Sequence, residues 1–293
     1  MEKILKRPLS YTIRSYCFLT KPGIIFGNAV TASAGFAMAS KNKLHLGLFF
    51  MMILGLSLII ASSCVFNNFI DRKLDAKMRR TKNRALPKGT ISSQNAIQFA
   101  VALGLIGATT LFIFTNLLSM LIALLGLLTY VFVYSLSKYQ TSLCTLLGSI
   151  AGSIPPVVGY TAVTGKVDLC ALILFIIVAM WQMPHFFAIA IYRLKDYALG
   201  SIPILPLEKG MKSTKINMVF YIILFILACL ALPALGFTSY LFAYVLTPLG
   251  AYWLYLGLKG FKAANDTIWA RRMFLFSLVV IMAMGMIIPF SVT

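Results

Sequence analysis

The chain has 293 residues, of which 60% are hydrophobic and 11% charged, against about 25% charged in ordinary soluble domains. That composition excludes a water-soluble globular enzyme and indicates a polytopic, all-α membrane protein. The net charge of +19 would suit a nucleic-acid partner, but its distribution along the chain has a topological explanation, and no nucleic acid is expected.

The first 21 residues carry Lys3, Lys6, Arg7, Arg14 and Lys21 and lack the apolar core of a cleavable signal, so they read as a cytosolic leader. A spanning helix needs about 20 apolar residues, and nine such runs follow, at about 22–40, 46–66, 96–114, 117–136, 142–162, 168–190, 216–235, 238–258 and 273–292. With the ends numbered alternately, all but three of the 26 Lys and Arg residues fall on the side of the N-terminus; the exceptions are Lys41, Lys43 and Lys166. Positive charge stays inside, so the N-terminus is expected in the cytoplasm and the C-terminus outside, in a bacterial inner membrane. One transmembrane domain over 1–293 is expected, with its two longest links, about 67–95 and 191–215, capping the cytoplasmic face. The five cysteines are scattered, form no C-x-x-C pair, and read as packing residues.

The first long link opens NNFIDRKLDAKMRRTKNR from Asn67. Asn67, Asp71 and Asp75 recur every four residues, which places an amide and two carboxylates on one stripe of a helix leaving the second run. Hard oxygen ligands of that kind suit Mg²⁺, which binds through one or two carboxylates plus substrate phosphates. The basic residues that follow suit phosphate oxygens. The plainer reading is a pair of interfacial salt bridges to neighbours such as Arg72 or Arg79.

The second long link begins inside the sixth run, WQMPHFFAIAIYRLKDY from Trp181. Gln182, Pro184 and His185 at such depth face a bundle interior or a cavity rather than lipid. Asp196 stands beside Arg193 and Lys195 and is a further candidate metal ligand, or the satisfied acid of a topological anchor. His185 is either an iron ligand through neutral imidazole or a core histidine bonded to a carbonyl freed near Pro184. Tyr192 and Tyr197 belong either to an interfacial belt or to the wall of a prenyl site, where a ring face would steady a carbocation.

These two stretches resemble the signatures of the UbiA-type intramembrane prenyltransferase superfamily. Asn67 to Arg84 is similar to the first signature, and M-P-H-F-F-A-I-A-I-Y-R-x-K-D-Y with I-P-x-L-P, from Met183 to Pro206, to that of its protoheme IX farnesyltransferase branch. The resemblance implies a nine-helix UbiA-type bundle with cytoplasmic cap loops and a Mg²⁺-dependent transfer of farnesyl from farnesyl diphosphate to a vinyl group of haem B, giving haem O. It implies Asp71, Asp75, Asp196, Arg193 and Lys195 as catalytic. It gives Mg²⁺ to Asn67, Asp71 and Asp75, and substrate contacts to Asn68, Arg72, Lys77, Arg80, Lys82, Arg84, Tyr192, Tyr197 and His185, the last on the haem iron. A link to haem A synthase or terminal oxidase assembly follows from the product.

Relatives that prenylate quinone precursors carry a second D-x-x-x-D. Here the positions four residues either side of Asp196 are Tyr192 and Gly200, which favours the haem branch and leaves few ligands for a second Mg²⁺. The competing readings are an aromatic quinone-precursor prenyltransferase, a transporter for an anionic solute, and a non-catalytic haem-binding protein. The gathering of acid and base at one surface counts against the transporter.

Overall fold

Inside a bilayer no water satisfies the backbone, so long uncharged apolar runs must fold as helices. The structure is a computed structural model that describes residues 9–41, 43 and 45–293. Lys3, Lys6 and Arg7 of the basic leader lie outside the described residues. Among those described, nine helices are long and apolar enough to cross a membrane: span 1 (Pro22–Ser40), span 2 (Leu46–Asp75), span 3 (Ser93–Phe114), span 4 (Leu117–Ser137), span 5 (Cys144–Thr164), span 6 (Leu169–Tyr192), span 7 (Gly210–Ala234), span 8 (Tyr240–Lys262) and span 9 (Asp266–Ser291). The expected fold class holds: an all-α polytopic membrane protein.

Several spans run past the end of their apolar run. Span 2 continues to Asp75, span 7 starts at Gly210, and span 9 starts at Asp266. The reason is that long Lys and Arg side chains keep their heads at the interface while their stems cover apolar surface, so a helix need not stop where hydropathy does.

Spans 1 to 5 pack mainly among themselves, as do spans 6 to 9. Span 1 against span 9 and span 5 against span 6 join the two groups. Span 1 meets span 5 at backbone contact. A Cβ on Gly35 would strike the Pro156 carbonyl, and one on Gly159 would strike the Ala32 carbonyl. Without a hydrophobic drive between helices in lipid, such close approach of small residues supplies the packing.

Two local features aim side chains at the basic face, the side that carries the helix Leu9–Leu19. Span 4 contains a π-helical stretch, Thr129–Tyr134, and the Ser135 backbone N–H and hydroxyl both donate to the Tyr130 carbonyl. Isolated π turns inside α-helices are frequent at functional sites. The two long links also meet. Met78, with Leu74 beside it, packs against Ala190, Ile202, Ile204 and Tyr197. The second link is largely structured, with short helices Leu194–Leu199 and Leu205–Glu208.

Candidate active site

The stripe expected on the extension of span 2 is present and turned inward. Asn67, Asp71 and Asp75 are 3%, 7% and 2% exposed. Charges buried this far must be paired, and each oxygen group of the stripe has a cationic donor. Lys21, just before span 1, donates to Asn67 Oδ1 at 2.6 Å. Lys138, in the link between spans 4 and 5, pairs with Asp71 Oδ2, and the Tyr139 hydroxyl donates to Asp71 Oδ1 at 2.7 Å. Arg84 pairs with Asp75 Oδ2 at 2.7 Å and donates to Asn68 Oδ1 at 3.2 Å. Asn67 Nδ2 in turn donates to Ser135 Oγ at 3.0 Å, just past the π turn. Asn68 Nδ2 holds the Leu19 carbonyl at 2.8 Å, which anchors the leader helix to span 2.

Asp71 and Asp75 are therefore not paired with Arg72 or Arg79, the neighbours suggested by local spacing. Arg72 turns back along its own helix, donating to the Phe69 carbonyl at 2.7 Å and lying 4.1 Å over the Phe69 ring. Lys21, Ser135, Lys138 and Tyr139 did not stand out in the sequence. The one usable signal was Lys138, an isolated cation in a short link on the basic side.

Burial is the main cause lowering the Lys21 pKa from the usual 10.5, while the nearby Asp71 carboxylate acts to raise it. Partial burial and then the bond to Asp71 raise Tyr139 well above 10, so its hydroxyl remains a donor.

Other expected residues spread around this cluster. Asn68, Arg80 and Arg84 line a cleft of about 380 Å³ together with Arg14 and Leu19 of the leader helix. Lys77 and Lys82 are exposed. Arg79, Lys195 and Asp196 line a second cleft of about 510 Å³ where the two links meet. Arg193 lies 4.9 Å over the Tyr192 ring, and Tyr192 packs on Phe274 at 5.6 Å. Burial raises the Tyr197 pKa. Span 4 contributes a stacked pair, Tyr130 and Tyr134, at 5.2 Å.

Asp196 does not join Asp71 and Asp75. Among the described residues no group of three or more His, Cys, Asp and Glu is placed to hold a metal ion. What is assembled is a donor set of two carboxylates and one amide oxygen, hard ligands on one helix face, each matched by a cation. That set fits a hard divalent ion completed by water and phosphate oxygens.

His185 is buried in span 6, and it is not bonded to a carbonyl freed by Pro184. Span 6 runs through that proline as one helix. The His185 Nδ1 lies 2.7 Å from the Ser277 hydroxyl of span 9, with Trp181 stacked on the ring at 4.8 Å.

Residues 28–279 match the model of the UbiA prenyltransferase family. The chain belongs to that family. It is similar to the protoheme IX farnesyltransferase of Protochlamydia amoebophila, 51% identical over 95% of this chain and 99% of that protein. The protein of the same name from Yersinia pseudotuberculosis is 46% identical over 93% of each chain. In fold the chain resembles a UbiA homolog from Archaeoglobus fulgidus whose structure was solved bound to GPP and Mg²⁺. The TM-score is 0.70 at 15% identity, covering 94% of this chain and 99% of that one.

Proposed function

We propose that this chain transfers the farnesyl group of farnesyl diphosphate to a vinyl group of haem B, giving haem O with a hydroxyethylfarnesyl side chain. The observation that carries the reading is the buried, cation-matched stripe of Asn67, Asp71 and Asp75 in a chain closely similar to protoheme IX farnesyltransferases. The domain is the whole chain, 1–293. Its N-terminus is cytoplasmic, which fits the crowding of basic residues on that face.

Asn67, Asp71 and Asp75 would hold Mg²⁺, whose contribution is to neutralise charge on the departing diphosphate. The protein's own part is electrostatic preorganisation. Lys21, Lys138 and Arg84 already bring three cations to the stripe, and Arg80 stands in the cleft beside Arg84. Charge-assisted bonds from these groups stabilise the leaving group as its charge builds. The bond between C1 of the farnesyl group and oxygen breaks, and its electron pair leaves on the diphosphate. The haem vinyl adds to C1, and water captures the new cation beside the macrocycle and loses a proton to solvent. That addition requires no strong protein base. The Tyr130–Tyr134 pair, with Tyr192 and Tyr197, walls the prenyl chain and presents ring faces to the transient cation. Asp196, Lys195 and Arg193 form the outer rim of the site. His185 ligates the haem iron and so aims the vinyl. The product passes to haem A synthase or to a terminal oxidase.

The test is direct. Purified protein incubated with haem B, farnesyl diphosphate and Mg²⁺ yields a farnesylated haem, seen by mass. Farnesylation of an aromatic quinone precursor with haem untouched would overturn the assignment.

A further inference from the structure

Spans 6 and 9 are clipped together at one residue. Trp181 Nε1 donates to the Ser277 carbonyl at 2.8 Å, and His185 Nδ1 meets the Ser277 hydroxyl at 2.7 Å. Trp181 and His185 are one turn apart on the same helix face, which is why both reach it.

The direction of the second bond follows from a third. Ser277 Oγ lies 2.6 Å from the Phe274 carbonyl oxygen, which has only lone pairs to offer. The single hydroxyl hydrogen is committed there, so Oγ presents a lone pair to the imidazole. Nδ1 must then carry the ring hydrogen. The rings against it are those of Trp181, Phe186 and Phe274 and its hydrogen-bond partner is Ser277, none of them charged; such a buried imidazole is neutral, and Nε2 carries a free lone pair. Nε2 makes no hydrogen bond among the described residues. It is not sealed in either: the fully enclosed, unpaired side-chain atoms among those residues are Thr238 Oγ1 and Trp253 Nε1.

We infer that Ser277 is a positioning residue: it accepts the Nδ1 hydrogen of His185 and so fixes the tautomer whose Nε2 ligates the haem iron. This rests on the reading of His185 given above and adds the group that sets it. Metal-binding histidines ordinarily give their other N–H to such an acceptor, which fixes ring orientation and raises basicity. Here the orientation is fixed further by Trp181, whose stacked ring lies 26° from parallel to the imidazole, and by Phe274 at 5.0 Å.

The experiment uses the full chain in detergent, with ferrous haem B as the probe. The ¹⁵N spectrum of the haem-free protein should show hydrogen on Nδ1 of His185 and none on Nε2. In Ser277→Ala the Trp181 clip survives, because it uses the backbone carbonyl. That variant should bind haem about tenfold more weakly, with a changed iron–histidine signature in resonance Raman, and keep its affinity for farnesyl diphosphate. Hydrogen on Nε2 in the wild type overturns the inference. So does a Ser277→Ala protein with unchanged haem affinity and signature while His185→Ala loses that signature. If His185→Ala keeps the signature, the iron-ligand reading itself falls, and the role of Ser277 falls with it.

Discussion

The two acid-bearing links treat the same side chain in opposite ways. At the end of span 2, Asp71 and Asp75 are buried, and each is held by a cation. Beyond the end of span 6, on the same face, Asp196 is half-buried and its carboxylate makes no hydrogen bond or ion pair among the described residues. Burial lowers the effective dielectric and makes every charge interaction at the first site larger. It also carries a desolvation penalty that the partners must offset. The first link is thus a fixed, charge-paired cluster, which in the proposed function receives a cation and an anion together. The second is an adaptable rim.

The largest break in that contrast should come from Asp71→Asn or Asp75→Asn. Turnover to haem O should fall about 10³-fold, the cost of removing a preorganised group at a site of developing charge, while the protein still inserts in membranes. Near-normal activity would leave the stripe without a catalytic role. Next comes Lys138→Met, which leaves Asp71 buried without its cation and should lower stability by about 3–5 kcal/mol in thermal unfolding. Adding Asp71→Asn to that variant should recover most of the loss; a lack of recovery would mean the pair is not the reason. His185→Ala should weaken haem binding by more than the roughly tenfold expected of Ser277→Ala and leave diphosphate affinity intact, which assigns the two substrates to different regions. If diphosphate binding collapses instead, that division is wrong. The smallest effect belongs to Asp196→Asn, for which kcat/KM should change by less than about tenfold, because no partner is left stranded. A loss equal to that of Asp71→Asn would merge the two regions into one site.

Features set by local spacing were legible in the sequence. The nine spans followed from apolar run length, and the inward stripe followed from the four-residue recurrence of Asn67, Asp71 and Asp75. What local spacing could not supply was the partner of each group. Asp71 is answered by a lysine 67 positions away, Asn67 by one 46 positions away, and His185 by a serine 92 positions away. Neighbours at helical spacing lost because Arg72 found its own helix first. Helix ends were also misjudged where charged residues begin spans 7 and 9, since hydropathy marks the edge of the oil rather than the edge of the helix.

The wide turns at Thr129–Tyr134 constrain how span 4 could change over time. They set the rotation of everything after them, including Ser135, Lys138 and Tyr139. One residue of α-helix turns about 100°, so a single deletion in that stretch would swing the lysine and phenol off Asp71 by roughly a quarter turn. Lipid-facing identities in this segment, such as Phe132 and Val133, are free to drift, whereas its residue count is not: the segment works as a vernier for the proposed site, and insertions or deletions there should be inactivating even where substitutions on the lipid side are tolerated.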